Sequence, residues 1–382
     1  MVTFNAGFIR AAFTPQKKPA APPPITTKCL LTPQRTMKNC YVRYDKIQDT
    51  LKYKSRETKP TCLLYSFLKI WVRLAALIFC RKIIINNRAL LKEKGPLLLA
   101  SNHPNSFLDS VILDILFDQP IWSLARGDTF LNKTVSRIFH SLKMMPIYRT
   151  SEGVENLNEN YKTFDACIEI FKKDGVVQIF SEGKCINEWH LRPLKKGTAR
   201  LALSTWEKNI PLRVLPVAIN YSSFHLFGKN IFFHFGKIIT KTDIDTTVAD
   251  GLRNQQFNNL LREELEKGVF EIGNHDLNKR KELLAIKIPG WKRLILFLPA
   301  IAGFLLHAPL YLPVKYFVSK KYKNSDHFDS VILGILIFAY PLYLLLLTLS
   351  GWLLLESYWA ITLLLILPFT AWSYVQWKKQ IN

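Results

Sequence analysis

Between Gly95 and about Phe270 the chain alternates two kinds of hydrophobic pattern. Short apolar runs, PLLLAS, IWSLAR, MMPIYR, VVQIFS, LRVLPVAINY and later IFFHFGKII, have the length of strands buried on both faces. Between them, DSVILDILFD, NKTVSRIFHSLK, NLNENYKTFDACIEIFKK and GTARLALSTWEKN repeat apolar positions every three or four residues, and LRNQQFNNLLREELEKGVF closes the stretch in the same way. Each of these predicts a helix with one apolar face. Strands separated by helix-length crossovers predict an α/β domain over residues 91–285, with a mostly parallel sheet and flanking helices.

The segments on either side point to a membrane. TCLLYSFLKIWVRLAALIFCRK, Thr61 to Lys82, is long enough to span but carries Lys69, Arg73 and Arg81. With Leu77 these are spaced by four, so a helix gathers the cations on one side and leaves Leu, Phe, Trp and Ile on the other. A helix over residues 61–90 lying in the interface, held by anionic lipid headgroups, is expected, with a transmembrane span as the alternative. Residues 290–380 hold three further apolar stretches, Leu294 to Val314, Ser330 to Ser350 and Trp352 to Trp372. Lys292 and Arg293 precede the first, Lys320 and Lys321 follow it, and Lys378 and Lys379 follow the third. Cations favour the cytosolic side, so a full first crossing would put one basic cluster on the wrong face. The expectation is a first segment that dips in and returns at Pro299, Pro309 and Pro313, then a two-helix hairpin with Glu356 near its distal turn. The protein would be integral to a membrane, with its α/β domain on the cytosolic face.

Charge narrows the partners. Lys and Arg number 52 against 29 Asp and Glu, a net +23, which suits a polyanion or an anionic membrane surface. The apolar segments favour lipid, and no RNA- or DNA-binding motif is present, so no nucleic acid partner is expected. Residues 1–60 contain no acidic residue before Asp45 and read KKPAAPPPITTK at their centre. They cannot bury a core and are expected to be a disordered extension, with Met37 an alternative start and residues 1–36 then outside the native protein. Cys29, Cys40, Cys62, Cys80, Cys167 and Cys185 are scattered without metal-ligand spacing, so reduced thiols and no metal are expected.

The chemistry centres on ASNHPNSFLDSVIL, where His103 and Asp109 stand in otherwise uncharged sequence. Fully extended they would be ~20 Å apart. A strand end, a turn at Pro104 and a helix starting near Asp109 would bring them together, the carboxylate holding one imidazole nitrogen and the other left as a base. Capping of a helix is the plain alternative. Ser106 lacks the nucleophile-elbow context that a serine-ester mechanism needs. The DSVIL of Asp109 to Leu113 recurs at Asp329 to Leu333 without His or Asn-Pro before it, which reads as coincidence. His190, His225 and His234 form no ligand-like group and read as structural.

Followed in order by MMPIYR, IFSEGKC and VLPVAIN, the NHPNSFLD block resembles the glycerolipid acyltransferase family, whose members acylate glycerol phosphate, dihydroxyacetone phosphate and lysophosphatidate. The resemblance covers roughly Gly95 to Tyr221. It implies His103 as general base with Asp109 as its partner, Arg149 against the acceptor's phosphate, and Glu182 and Gly183 in an acceptor-binding block. Five residues rather than the commoner four separate His103 from Asp109. Lys184 stands where Arg is common, keeping the charge without the bidentate fork. Lys195 and Lys196 open KKGTARLAL and could seat a phosphate at a helix N-terminus. The implied reaction is direct transfer of a fatty acyl group from acyl-CoA or acyl-carrier protein to a hydroxyl of glycerol 3-phosphate or dihydroxyacetone phosphate, without cofactor or metal. A lysophosphatidate or other lysophospholipid acceptor is the alternative enzyme. A non-catalytic membrane lipid-binding scaffold is the alternative of another class, and it would need none of His103, Asp109, Arg149 and Glu182.

Overall fold

The computed structural model describes residues 59–148, 157–273, 275–323 and 325–381. The extension expected over residues 1–60 lies outside these but for its last two residues, and Arg149 lies outside them as well. The strands are β1 (Cys80–Ile85), β2 (Leu97–Ser101), β3 (Ile121–Arg126), β4 (Met144–Ile147), β5 (Val176–Phe180), β6 (Arg213–Tyr221) and β7 (Lys229–Phe235). They form one sheet in the order β1-β7-β6-β2-β5-β3-β4. Every neighbouring pair is parallel except β6 and β7. The mostly parallel α/β architecture expected from the alternation is therefore present.

Helices cover both faces. Leu98 and Ala100 of β2 point to one side, where α4 (Leu157–Phe171), α5 (Lys196–Glu207) and α6 (Asp250–Glu266) supply Phe171, Trp206 and Leu261 to the core. Leu97 and Leu99 point to the other, against α1 (Lys59–Phe79) and α2 (Phe107–Leu116) through Phe79, Leu108 and Ile112. Burial on both faces is why β2 reads as an unbroken apolar run, with all five residues buried. The shorter α3 (Lys133–Ser141), α7 (Leu277–Leu284) and α8 (Gly290–Ile295) lie between and after these elements.

The N-terminal amphipathic segment departs from expectation in two ways. The helix stops at Phe79, and residues 80–85 form an edge strand instead of continuing it to 90. The run Ile83-Ile84-Ile85 is β-branched and pairs parallel with β7, Ile83 opposite Ile231 and Ile85 opposite Phe233, which satisfies an edge that would otherwise be bare. The cations also turn inward rather than toward headgroups. Lys69 donates to Gln119 O at 3.3 Å and Arg73 to Ile115 O at 2.9 Å, both at the carboxyl end of α2 where unpaired carbonyls favour positive charge. Arg81 is buried on β1. The apolar side of α1, with Leu63 at 72% and Phe67 at 64% exposure, faces outward.

The C-terminal region holds α9 (Phe297–Tyr322), α10 (Phe328–Leu355) and α11 (Leu363–Trp377). Counting with α11 the short 3-10 turn before it, all three are long and apolar enough to cross a membrane. The first, α9, is one helix of 26 residues that carries Pro309 and Pro313 within it. Tyr343 of α10 donates to Leu306 O of α9 at 2.6 Å, which ties the two helices together midway along their length. Glu356 caps α10 in the left-handed conformation, at the turn before α11.

Candidate active site

All the parallel strands from β6 to β4 end on one side of the sheet, and the NHPNSFLD block leaves β2 there, where open α/β sheets bind their ligands. Asn102 anchors its start, donating to Ile219 O at 3.0 Å and accepting from Ile219 N at 2.8 Å on β6. His103 Nδ1 then meets Asp109 Oδ2 at 2.8 Å. A carboxylate only accepts, so Nδ1 carries the proton and Nε2 keeps the lone pair. The ring stacks on Phe180, with centroids 3.6 Å apart and planes 12° from parallel, which fixes its tilt.

Asp109 is fully buried, so its charge needs partners. Beyond His103 it accepts from Asn105 N at 2.8 Å and from Tyr221 OH at 2.7 Å. Burial and the neighbouring Asp109 charge push the Tyr221 hydroxyl well above its ordinary pKa, which keeps it a donor. The fifth residue between His103 and Asp109 is absorbed at Ser106, whose φ of 52° lies in the region that favours glycine. That conformation is gripped from two sides: Ser106 N donates to Cys185 Sγ at 2.9 Å, and Ser106 Oγ pairs with His327 Nδ1 at 2.5 Å. Burial pushes the Cys185 thiol up, beyond its ordinary range.

The Glu-Gly block packs directly under the base. Glu182 Oε2 accepts from His103 N at 2.8 Å and Oε1 from Arg192 N at 2.9 Å. Burial raises its pKa while these two donors pull it back down. The carboxylate that the sequence assigned to the acceptor thus has both oxygens committed to the main chain, and it holds the loop bearing His103. Gly183 has φ +70°, and a side chain there would meet Lys195 Cγ at 3.1 Å, so its role is to let this turn close against the next helix.

Residues 82–220 match the family model described as Acyltransferase. The match takes in the loop that bears His103 and Asp109 and the Glu182-Gly183 turn. No curated protein matches the chain. Among solved structures it is similar to PlsC, the 1-acyl-sn-glycerophosphate (LPA) acyltransferase of Thermotoga maritima, at 13% identity over 62% of this chain and 91% of that one, with a TM-score of 0.40.

His103 opens onto a cleft of about 1540 Å³. Leu124, Phe139, Ile147, Phe164 and Ile179 form an apolar wall, and Lys184, Lys195 and Lys196 line the same cleft. Lys195 is the N-cap of α5 and Lys196 its first residue, so their charges flank unpaired main-chain N–H groups. Sequence reasoning missed Arg192 and Arg200, which line the same cleft. It also missed Tyr221, although the alternation of Leu215, Val217 and Ile219 already turned that position toward α2. His327 and Asp326, from the loop before α10, line the cleft too, and no local pattern could have linked them to His103 across that separation. Among the described residues no cluster of His, Cys, Asp and Glu could hold a metal ion.

Proposed function

We propose that the protein transfers a fatty acyl group from an acyl thioester, acyl-CoA or acyl-carrier protein, to a hydroxyl of glycerol 3-phosphate or dihydroxyacetone phosphate in phospholipid biosynthesis. The carrying observation is His103, held through Nδ1 by Asp109 at 2.8 Å with Nε2 left as base at the cleft. Nε2 takes the proton of the acceptor hydroxyl as its oxygen attacks the thioester carbonyl. The tetrahedral intermediate then collapses, the carbon–sulfur bond breaks, and the thiolate recovers the proton from the imidazolium. Asp109 holds the ring and offsets its charge at the moment it is cationic. Lys184, Arg192, Lys195 and Lys196 at the rim support a phosphorylated acceptor. Arg149 joins them on the strength of the family resemblance. The apolar wall supports a fatty chain, and outward-facing α1 with the three long helices supports work at a membrane, with the domain on its cytosolic face.

A lysophosphatidate acceptor is the second reading, favoured by the size of the cleft and its apolar wall, which leave room for a second chain. Purified protein in lipid vesicles, given labelled acyl thioester with glycerol 3-phosphate, dihydroxyacetone phosphate or lysophosphatidate in turn, separates the two. Acylation of the first pair is expected, and preference for lysophosphatidate would replace this reading with the second. His103→Ala should lower transfer by ~10²–10⁴-fold at unchanged protein level; near-normal turnover would remove the base mechanism.

A further inference from the structure

The repeated DSVIL turns out to join two helix starts in space. Asp109 and Asp329 each lie in the first turn of their helix, and both carboxylates bind Asn105: its main-chain N–H donates to Asp109 Oδ2 at 2.8 Å, and its side-chain Nδ2 donates to Asp329 Oδ2 at 2.9 Å. Ser330, the next residue, accepts from Leu108 N at 3.2 Å and donates to Asn105 O at 3.3 Å. Asn105 is fully buried and Asp329 nearly so. A carboxylate sealed away there needs a counter-charge, and Lys229 of β7, itself fully buried, forms an ion pair with Asp329.

The oxygen of Asp109 that Asn105 holds is the one that holds His103 Nδ1. The loop between them includes Ser106 at φ 52°, a conformation that relaxes unless its surroundings over-determine it. We propose that Asp329 is a positioning residue for the base: through Asn105 it fixes the N–H that orients Asp109, so that the C-terminal membrane region is a working part of the active site. The inference rests on the acyl-transfer reading for its kinetic readout. It predicts that what matters at position 329 is a hydrogen-bond acceptor for Asn105, with Lys229 needed only to let that acceptor be charged.

Three variants separate positioning from support of the fold. D329L/K229M replaces the pair by apolar residues of similar volume and removes the acceptor, D329N/K229M removes the charges and keeps the acceptor, and N105A cuts the link while leaving the pair intact. D329L/K229M and N105A should each lose about ten- to a hundredfold in kcat, with KM for thioester and acceptor held within about twofold. D329N/K229M should turn over within about threefold of the parent. Equal kcat in the two double variants, a loss carried by KM, or parent-like kcat in N105A would overturn the proposal. Carbethoxylation of His103 by diethyl pyrocarbonate, mapped by mass spectrometry, reads the imidazole whether or not transfer is found. It should quicken in D329L/K229M and N105A and stay at the parent rate in D329N/K229M; one rate in all of them would overturn the proposal even if the transfer reading had itself failed.

Discussion

Asp109 is useful only because its charge is spread over His103, the Asn105 main chain and Tyr221. Tyr221→Phe deletes the hydroxyl donor and leaves the carboxylate buried with one partner fewer, a loss on the order of 1.5–3 kcal/mol for a hydrogen bond to a charged group. Steady-state kinetics should therefore show kcat reduced about tenfold or more with both KM values little changed. Glu182 makes a sharper test, because sequence and structure give it different jobs. A glutamine offers one acceptor oxygen where two main-chain N–H groups converge on two, and so must set an amide N–H against His103 or Arg192. Glu182→Gln is expected to lower kcat while sparing the acceptor's KM, whereas a residue contacting the acceptor would raise that KM. Cys185 gives a pH readout. Its pKa is raised, so the thiolate fraction at pH 8 falls below that of an ordinary cysteine, and iodoacetamide should leave Cys185 unmodified in the folded protein and react with it after denaturation.

At the level of elements, the sequence was legible wherever one pattern held for the length of one element. β2, β5 and β6 are buried along almost their whole length, and their apolar runs say so. β1 was hidden because Arg81 continues the four-residue spacing of Lys69, Arg73 and Leu77, although the chain has already left the helix at Phe79. What reveals β1 is the bare edge of β7, which is a property of the sheet and not of the segment. His103 and Asp109 stood out as isolated polar residues, while Asn105, Cys185 and Asp329 acquire meaning only from packing. Close approach at Gly303 is equally invisible in sequence: a Cβ there would lie 2.0 Å from Thr370 O on α11. Alanine ordinarily favours a helix over glycine, yet here Gly303→Ala must push two helices apart. The expected outcome is a loss of about 1–3 kcal/mol, seen as a lower Tm in detergent.

Across the whole molecule, the ends of the three long apolar helices return to the α/β domain. Arg81 on β1 donates to Val375 O at 2.7 Å and Lys378 O at 2.6 Å, and Gln380 is held by Asn230 at 2.7 Å and Ile286 at 2.8 Å. The loop after α9 reaches the cleft through His327, and Val318 is buried against Phe328 and Ile332. At its other end α9 stays beside the end of α11, with Lys292 3.4 Å from Gln376 and Arg293 over the Trp377 ring. Both basic ends of α9 thus lie by the domain, which suits the preference of cations for one side without any break in the helix. The α10–α11 hairpin leads away from the domain. α10 is buried by protein at Phe328, Asp329 and Ser330 and open at Leu353, Leu354 and Leu355, and Tyr358 and Trp359 are exposed at the tip, residues suited to a distal interface. Its 28 residues would extend about 42 Å, enough to cross the hydrocarbon with some tilt. Single cysteines at Lys321 and Lys379 in sealed vesicles should therefore react with an impermeant maleimide from the side on which the thioester donor is used, and a cysteine at Ser357 from the opposite side. If Lys321 and Lys379 were labelled from different sides, α9 would have to cross the bilayer alone, and the arrangement that brings His327 and Asp329 to the base could not hold.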